Sequence, residues 1–253
     1  MAQFFKNFPL IDYNFGNEIT PVLFQNLSVY IKLIDEIKND IAFYTTLFIQ
    51  DYDRPDSLSY KLYDTTEFYW TFYYLNTHIR ESGWPIPETD LLPKAKKDYP
   101  HRSVITTGDI SKTFLPGHTV NGSFSGSTGT VIKRYMDLGQ IIIDSPNNFN
   151  TGENITPSIN GEEQPADFVI VKSDVEQYNS VHHYENSSRE YVDIGLIPSG
   201  VGTGAFPTVS AFTPITYFNR ITAKNDSLRE IKVLSPDVAA QVKTEFNKLL
   251  LRG

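Results

Sequence analysis

The chain has 253 residues, 40% hydrophobic and 21% charged, a composition for one large or two to three small globular domains and not for a disordered polymer. A net charge of −8 argues against a binder of phosphate backbones, which needs a basic face, and Lys94-Ala95-Lys96-Lys97 is too short to supply one. The absence of cysteine excludes disulfides, thiolate zinc sites and a cysteine nucleophile, and suits an intracellular or virion protein. The N-terminal MAQFFKNFPLIDYNF has no apolar run of signal-peptide length, and no stretch approaches the roughly 18–20 apolar residues of a membrane span, so no membrane partner is expected.

Residues 1–41 begin with Phe4, Phe5, Phe8, Pro9, Ile11, Tyr13 and Phe15, too apolar for a free tail yet without a period. They read as an extended arm lying on something. From Pro21 to Asp40 two patterns compete; a strand to about Lys32 and a short helix over Ile34–Asn39 fit best. Ala42 to Gln50 is rich in aromatic and β-branched residues and reads as a strand. After the polar turn Asp51–Arg54, Asp56 or Ser57 can cap a helix carrying Leu58, Leu62 and Tyr63 inward. Asp64-Thr65-Thr66 breaks it, and a second helix follows with Phe68, Tyr69, Phe72 and Leu75 on its apolar side, closed by Asn76. Trp84-Pro85-Ile86-Pro87 is extended, with Trp84 packing back on the preceding helices. An aromatic fraction of 13% suits either a tyrosine-rich core or an assembly surface. For the second, the candidate partner-binding residues are Phe4, Phe5, Phe8, Pro9, Tyr13, Tyr69, Trp70, Tyr73 and Trp84.

Residues 93–105 read as a polar linker. Residues 106–157 are rich in Gly, Ser, Thr and Asn, and contain a repeat: Phe114-x-x-Gly117-x-x-Val120 aligns with Phe149-x-x-Gly152-x-x-Ile155. Each unit suits a glycine turn opening a strand, and the segment is read as a small β-barrel or β-roll of about four to six strands. In residues 158–253, Phe168–Val171 and Val181–Glu185 read as strands, with Tyr191–Pro198 as a hairpin partner and Gly200–Gly204 as a mobile loop. Thr213-Pro214 opens a helix to about Lys224, Arg229–Leu234 is a strand, and Ser235-Pro236-Asp237 starts a final helix with Val238, Val242, Phe246, Leu249 and Leu250 on its apolar stripe.

Asp51–Asn76 with its preceding strand is laid out like a LysM module: Asp53-Arg54-Pro55-Asp56-Ser57-Leu58 at the first helix and Leu75-Asn76 at the end of the second. In a narrower sense DRPDSLSYKLYDTTEFYWTFYYLN, the Trp84-Pro85-Ile86 extension, His183-Tyr184-Glu185 and the Arg229–Leu234 run with its following helix resemble the baseplate wedge protein fifty-three family of T-even-like contractile-tailed bacteriophages. The resemblance covers about 1–92 and 160–253. Together with the residue patterns above, the chain reads as an α+β fold with four parts: an arm (1–41), a LysM-like βααβ module (42–92), a β-rich segment (106–157) that departs from the family pattern as an insertion whose role the family does not settle, and a C-terminal α+β segment ending in a helix (158–253). The resemblance further implies a non-enzymatic virion protein of the tail baseplate, assembled in the host cytoplasm. Such a subunit helps join wedges around the hub in a six-fold ring, its partners being other wedge proteins, the sheath-initiating baseplate protein and hub-proximal proteins. The rival reading is a LysM-type binder of peptidoglycan or N-acetylglucosamine chains.

The chemistry-bearing residues point to no catalytic, cofactor or metal site. His182 and His183 are adjacent on a strand, where alternating side chains face opposite ways and cannot chelate together. Gly200-x-Gly202-x-Gly204 leads to Phe206-Pro207 and not to a helix, Gly122–Gly129 lacks the Gly-Lys-Ser/Thr ending of a phosphate loop, and no Gly-x-Ser-x-Gly elbow exists. Asp51, Asp53 and Asp56 are explained by turn formation and helix capping.

Overall fold

A computed structural model describes residues 10–13, 22–25, 44–159, 161–192, 212–241 and 244. Along the chain come strands β1 (Leu10–Tyr13), β2 (Val22–Gln25) and β3 (Tyr44–Phe48), then helices α1 (Pro55–Tyr63), α2 (Tyr69–Leu75), α3 (Thr77–Ser82) and α4 (Glu88–Asp98). Strands β4 (Arg102–Thr107), β5 (Thr119–Gly122), β6 (Thr128–Tyr135), β7 (Gln140–Asp144), β8 (Asn154–Ile159), β9 (Glu162–Glu163) and β10 (Val169–Glu176) follow. Then come β11 (Val181–Glu185), β12 (Tyr191–Val192), β13 (Thr213–Thr216), helix α5 (Tyr217–Ser227) and β14 (Glu230–Leu234). Residues 236–241 are again helical. The chain divides into two compact units, residues 1–88 with 224–253, and residues 89–223.

The first unit is built around an antiparallel strand pair whose members lie far apart in sequence: β3 pairs with β14 from Tyr44↔Leu234 to Phe48↔Glu230. After β3 the first unit makes helices α1, α2 and α3. Pro55, with its φ already set for a helix, opens α1. Ser57 then closes the first turn from inside, its hydroxyl accepting the Arg54 N–H at 3.0 Å and donating to the Arg54 carbonyl at 2.9 Å. The cap is therefore Arg54, earlier than the Asp56 or Ser57 expected. Asp64 ends α1 in the left-handed region at φ 55°. The Ser59 hydroxyl ties the break together, donating to Thr65 O and accepting from Phe68 N. Asn76 ends α2, and its side chain brackets one residue of β14: Nδ2 donates to Lys232 O and Oδ1 accepts from Lys232 N, both at 2.8 Å. The core consists of Ile49, Leu58, Phe72, Ile79, Leu228, Ile231 and Val233. At about 1.5–3 kcal/mol for each buried apolar side chain, the three from the chain's far end contribute roughly 4.5–9 kcal/mol of its burial.

The second unit contains a closed six-stranded antiparallel barrel in the cyclic order β4-β7-β6-β5-β8-β10, with β9 paired onto β8. Its bounds are wider than the 106–157 inferred from composition, because β4 and β10 are full members. Along Phe168–Val171, Val169 and Val171 face the barrel core while Phe168 and Ile170 are exposed, as expected for strands with one interior face. The Phe-x-x-Gly repeat has a three-dimensional counterpart. Phe114 and Phe149 are both buried; Gly117 and Gly152 have φ of 90° and 87° and donate to Val131 O and Val171 O, each at 2.8 Å. The likeness continues along the barrel. A bulge between Val131 and Lys133 on β6 matches one between Val171 and Ser173 on β10. The barrel is thus two related halves, β5-β6-β7 and β8-β10-β4, the second interrupted because β4 comes first in the chain.

Sizes are exchanged between the halves. At Gly129 an added Cβ would lie 2.5 Å from Ile143 Cγ2, whereas the corresponding positions are Val169 and Thr106. A large residue on β7 and a glycine on β6 in one half are replaced by two of middle size in the other, which conserves core volume.

Two further sequence-based expectations give way to the structure. The linker begins later than residue 93, since α4 runs to Asp98 despite Pro93; Leu91 and Ala95, one turn apart, bury one face. Thr213-Pro214 opens a strand, not a helix. In the sheet β12-β11-β13 the proline lies on an outer strand opposite Tyr184, where a missing N–H is tolerated, and α5 starts at Tyr217. The strand and helix expected over residues 26–40, the end of the 191–198 hairpin strand, the 200–204 loop and most of the last helix's stripe lie outside the described residues.

Candidate functional site

Of the residues singled out for partner binding, Phe4, Phe5, Phe8 and Pro9 lie outside the described residues. Tyr13 is on β1, which pairs antiparallel with β2 over Leu10↔Gln25 to Tyr13↔Val22. This hairpin is solvent-facing: Leu10 is 59% and Leu23 64% exposed, with Ile11, Tyr13 and Val22 also exposed. The aromatics of α2 are placed differently. Trp70 is only 8% exposed, Tyr69 half-buried. Tyr73 and Trp84 pack against the core of the first unit with ring centroids 5.8 Å apart, and Trp84 Nε1 donates to Asp53 O at 2.7 Å. Trp84 does fold back on the helices, and that fixes the turn before α1 instead of leaving the indole on the surface. Among the described residues, the aromatics of the module that face solvent are Phe48, Tyr52 and Tyr60, which sequence pattern did not single out. Tyr52 holds a positive φ of 66°, a departure no composition rule foresees.

The three aspartates are structural. Asp51 accepts from the buried Arg229 at 2.5 Å, and this hydrogen bond holds its carboxyl below the usual range. Asp53 accepts from Gln50 N and pairs with Lys61, and Asp56 pairs with Arg54.

A cluster of titratable side chains lies in the second unit, on β11. His182 and His183 do not face opposite ways. A bulge between Val181 and His183 against β13 lets the two rings meet, Nδ1 to Nδ1 at 2.9 Å. Alternation holds only for a regular strand, so it does not keep these two side chains apart. His183 Nε2 lies 3.2 Å from Glu185 Oε1, and its ring stacks on Tyr191. His182 Nε2 lies 2.8 Å from Arg220 NH1 of α5, and its ring stands edge-on to Tyr217 at 4.8 Å. Tyr217 in turn donates to Tyr135 OH at 3.0 Å and packs on Tyr99. Burial, then the positive charge of Arg220, pushes His182 down to about 4. Burial, then the Tyr135 bond, pushes the Tyr217 phenol up.

Among the described residues no group of three or more His, Asp or Glu is arranged to hold a metal ion, and no helix is long and apolar enough to cross a membrane. No protein-family model and no curated protein matches the chain.

Proposed function

We propose that the chain is a structural subunit of a contractile-tail baseplate wedge, its first unit a LysM-like βααβ module used for protein docking, and its role to help join wedges around the hub. The observation that carries this reading is the pairing of β3 with β14. The two stretches with the most specific resemblance to the wedge family, Asp53–Asp64 and Arg229–Leu234, are separated in sequence by the whole second unit and contribute Leu58, Ile231 and Val233 to one core. The exposed apolar β1–β2 hairpin supports an assembly role, because a two-stranded hairpin is marginal alone and gains from a partner. Electron microscopy of the reconstituted baseplate tests the reading by looking for six copies near the hub. Leu10→Ser with Leu23→Ser is expected to leave the melting temperature of the isolated chain nearly unchanged and to weaken co-assembly with wedge proteins.

A sugar-binding LysM reading has one observation in its favour. Tyr52, 70% exposed, and Tyr60, 59% exposed, are the kind of flat aromatic surface on which a sugar ring packs. Pull-down on purified peptidoglycan separates the two: saturable binding competed by chitin fragments selects the sugar reading, and none selects docking.

A further inference from the structure

We infer that His182 and His183 form a proton-operated latch between strand β11 and helix α5, in which docking of Arg220 and protonation of the histidine pair exclude each other. The two ends of the hydrogen-bonded chain fix its protons. Arg220 can only donate, so His182 Nε2, 2.8 Å away, carries its lone pair. The single proton of neutral His182 is then on Nδ1 and is donated to His183 Nδ1 at 2.9 Å. His183 in turn carries its proton on Nε2, facing Glu185 Oε1 at 3.2 Å, and a carboxylate can only accept. A donor-only group at one end and an acceptor-only group at the other leave one proton arrangement for the whole chain.

That arrangement has no place for another proton. Added to His183 Nδ1, it would confront the N–H of His182. His182 could yield only by moving its own proton to Nε2, where the Arg220 N–H stands. Added directly to His182 Nε2, it meets Arg220 at once. In either case two donors and two positive charges oppose each other, and a guanidinium does not give up its proton. Arg220 has to leave. The surrounding charges do not offset this. β6 contributes the Lys133 ammonium, over the Tyr135 ring at 4.5 Å, and Tyr135 itself; α5 contributes Tyr217, the residue after α4 is Tyr99, and β12 contributes Tyr191. Glu185 is the acid hydrogen-bonded to the pair, and it faces the far end of the chain. The bulge at His182 is what aligns the rings, so the device is absent from a regular strand.

The direction of the pH effect follows. His182 is held below its ordinary value of 6.5, at about 4, so the unfolded chain binds more protons between those limits. The contribution of the docked pair is fully present above 6.5 and is lost as pH falls toward about 4.

The test is long-range proton–nitrogen correlation spectroscopy of the imidazoles in the nitrogen-15-labelled full chain, which has 5 histidines, assigned with His182→Gln and His183→Gln. At about pH 7.5 the expected result is the Nδ1–H tautomer for His182 and the Nε2–H tautomer for His183. Arg220→Met is expected to leave His182 in the Nδ1–H tautomer, which the bond to His183 and Glu185 still requires, and to raise the protonation midpoint of His182 by about one pH unit, because Nε2 is then free to take a proton. An Nε2–H tautomer on His182 in the unsubstituted chain overturns the latch, and so does an Arg220→Met chain with an unshifted midpoint. The first measurement is made on the unsubstituted chain and does not use Arg220→Met, so it decides the matter even if that variant folds poorly.

Discussion

Glu153 is a carboxylate with no exposed surface, and it holds two turns of the barrel at once. It accepts from Phe124 N at 3.0 Å, Ser125 N at 2.9 Å, the Ser125 hydroxyl at 2.8 Å, and Asn150 N. Burial by itself would raise its pKa; the bonds from Ser125, Phe124 and Asn150 outweigh it, and the carboxyl lies below its ordinary value of 4.5. The neighbouring Gly122 leaves the room, since a Cβ there would fall 2.8 Å from Glu153 Oε2. A carboxylate is matched to this ring of donors and an amide is not. Glu153→Gln turns an NH2 against backbone N–H groups and is expected to destabilise the second unit by about 1–3 kcal/mol in urea unfolding at neutral pH. The sign with pH is that of a depressed carboxyl: its stabilisation is complete above 4.5 and is lost as pH falls through the folded value. The unsubstituted chain and the Glu153→Gln chain should therefore converge in stability below that point; a constant gap down to the acid limit would count against the ionised carboxylate as the cause.

At the scale of elements, Asn76 shows how a helix end selects a strand. Its backbone N–H bonds Phe72 O, its Nδ2 reaches both Phe72 O and Lys232 O, and its Oδ1 takes Lys232 N. The side chain satisfies a β14 residue on the edge away from β3 and so fixes which strand packs against α2. Asn76→Ala leaves the N–H and C=O of Lys232 without these partners, for a loss of about 1–3 kcal/mol. Asn76→Asp keeps the acceptor for the N–H but opposes an oxygen to the Lys232 carbonyl, so it should not restore the stability. The chain's two tryptophans, Trp70 and Trp84, both lie in the first unit, so their fluorescence in urea reads this change directly.

For the whole molecule the consequence is a first unit that neither end of the chain can form alone. A fragment of residues 42–92 lacks β14 and the core residues Leu228, Ile231 and Val233, and it is expected to be unstructured by circular dichroism. A fragment of residues 89–223 contains every strand of the barrel and is expected to fold, with slow amide exchange in β4, β7 and β10. Replacing residues 106–157 by a short linker removes β5, β6, β7 and most of β8, so it should abolish the barrel instead of excising a separable piece. Independent folding of the 42–92 fragment would show that β14 is dispensable to the module.

Local patterns determined local structure. Asp64 at the end of α1, the Phe-x-x-Gly turns and the Glu230–Leu234 strand are readable because each depends on a few consecutive residues: a helix-breaking polar run, a glycine at positive φ, a β-branched alternation. The mixed α+β class and a small barrel of the right size were legible for the same reason. Tertiary structure decided what those elements meet. No periodicity in Tyr44–Phe48 names Glu230–Leu234 as its partner, because strand pairing is a contact between distant segments and every exposed edge is open to many strands. Composition set the barrel's limits so that β4 was cut and β10 left out, since strands with one face inward are no richer in glycine or serine than their surroundings. The alternation that assigned His182 and His183 to opposite faces was sound for a regular ladder. The bulge that overrules it is set by the register of β13, a strand far along the chain, and a register is visible only once the strands are paired.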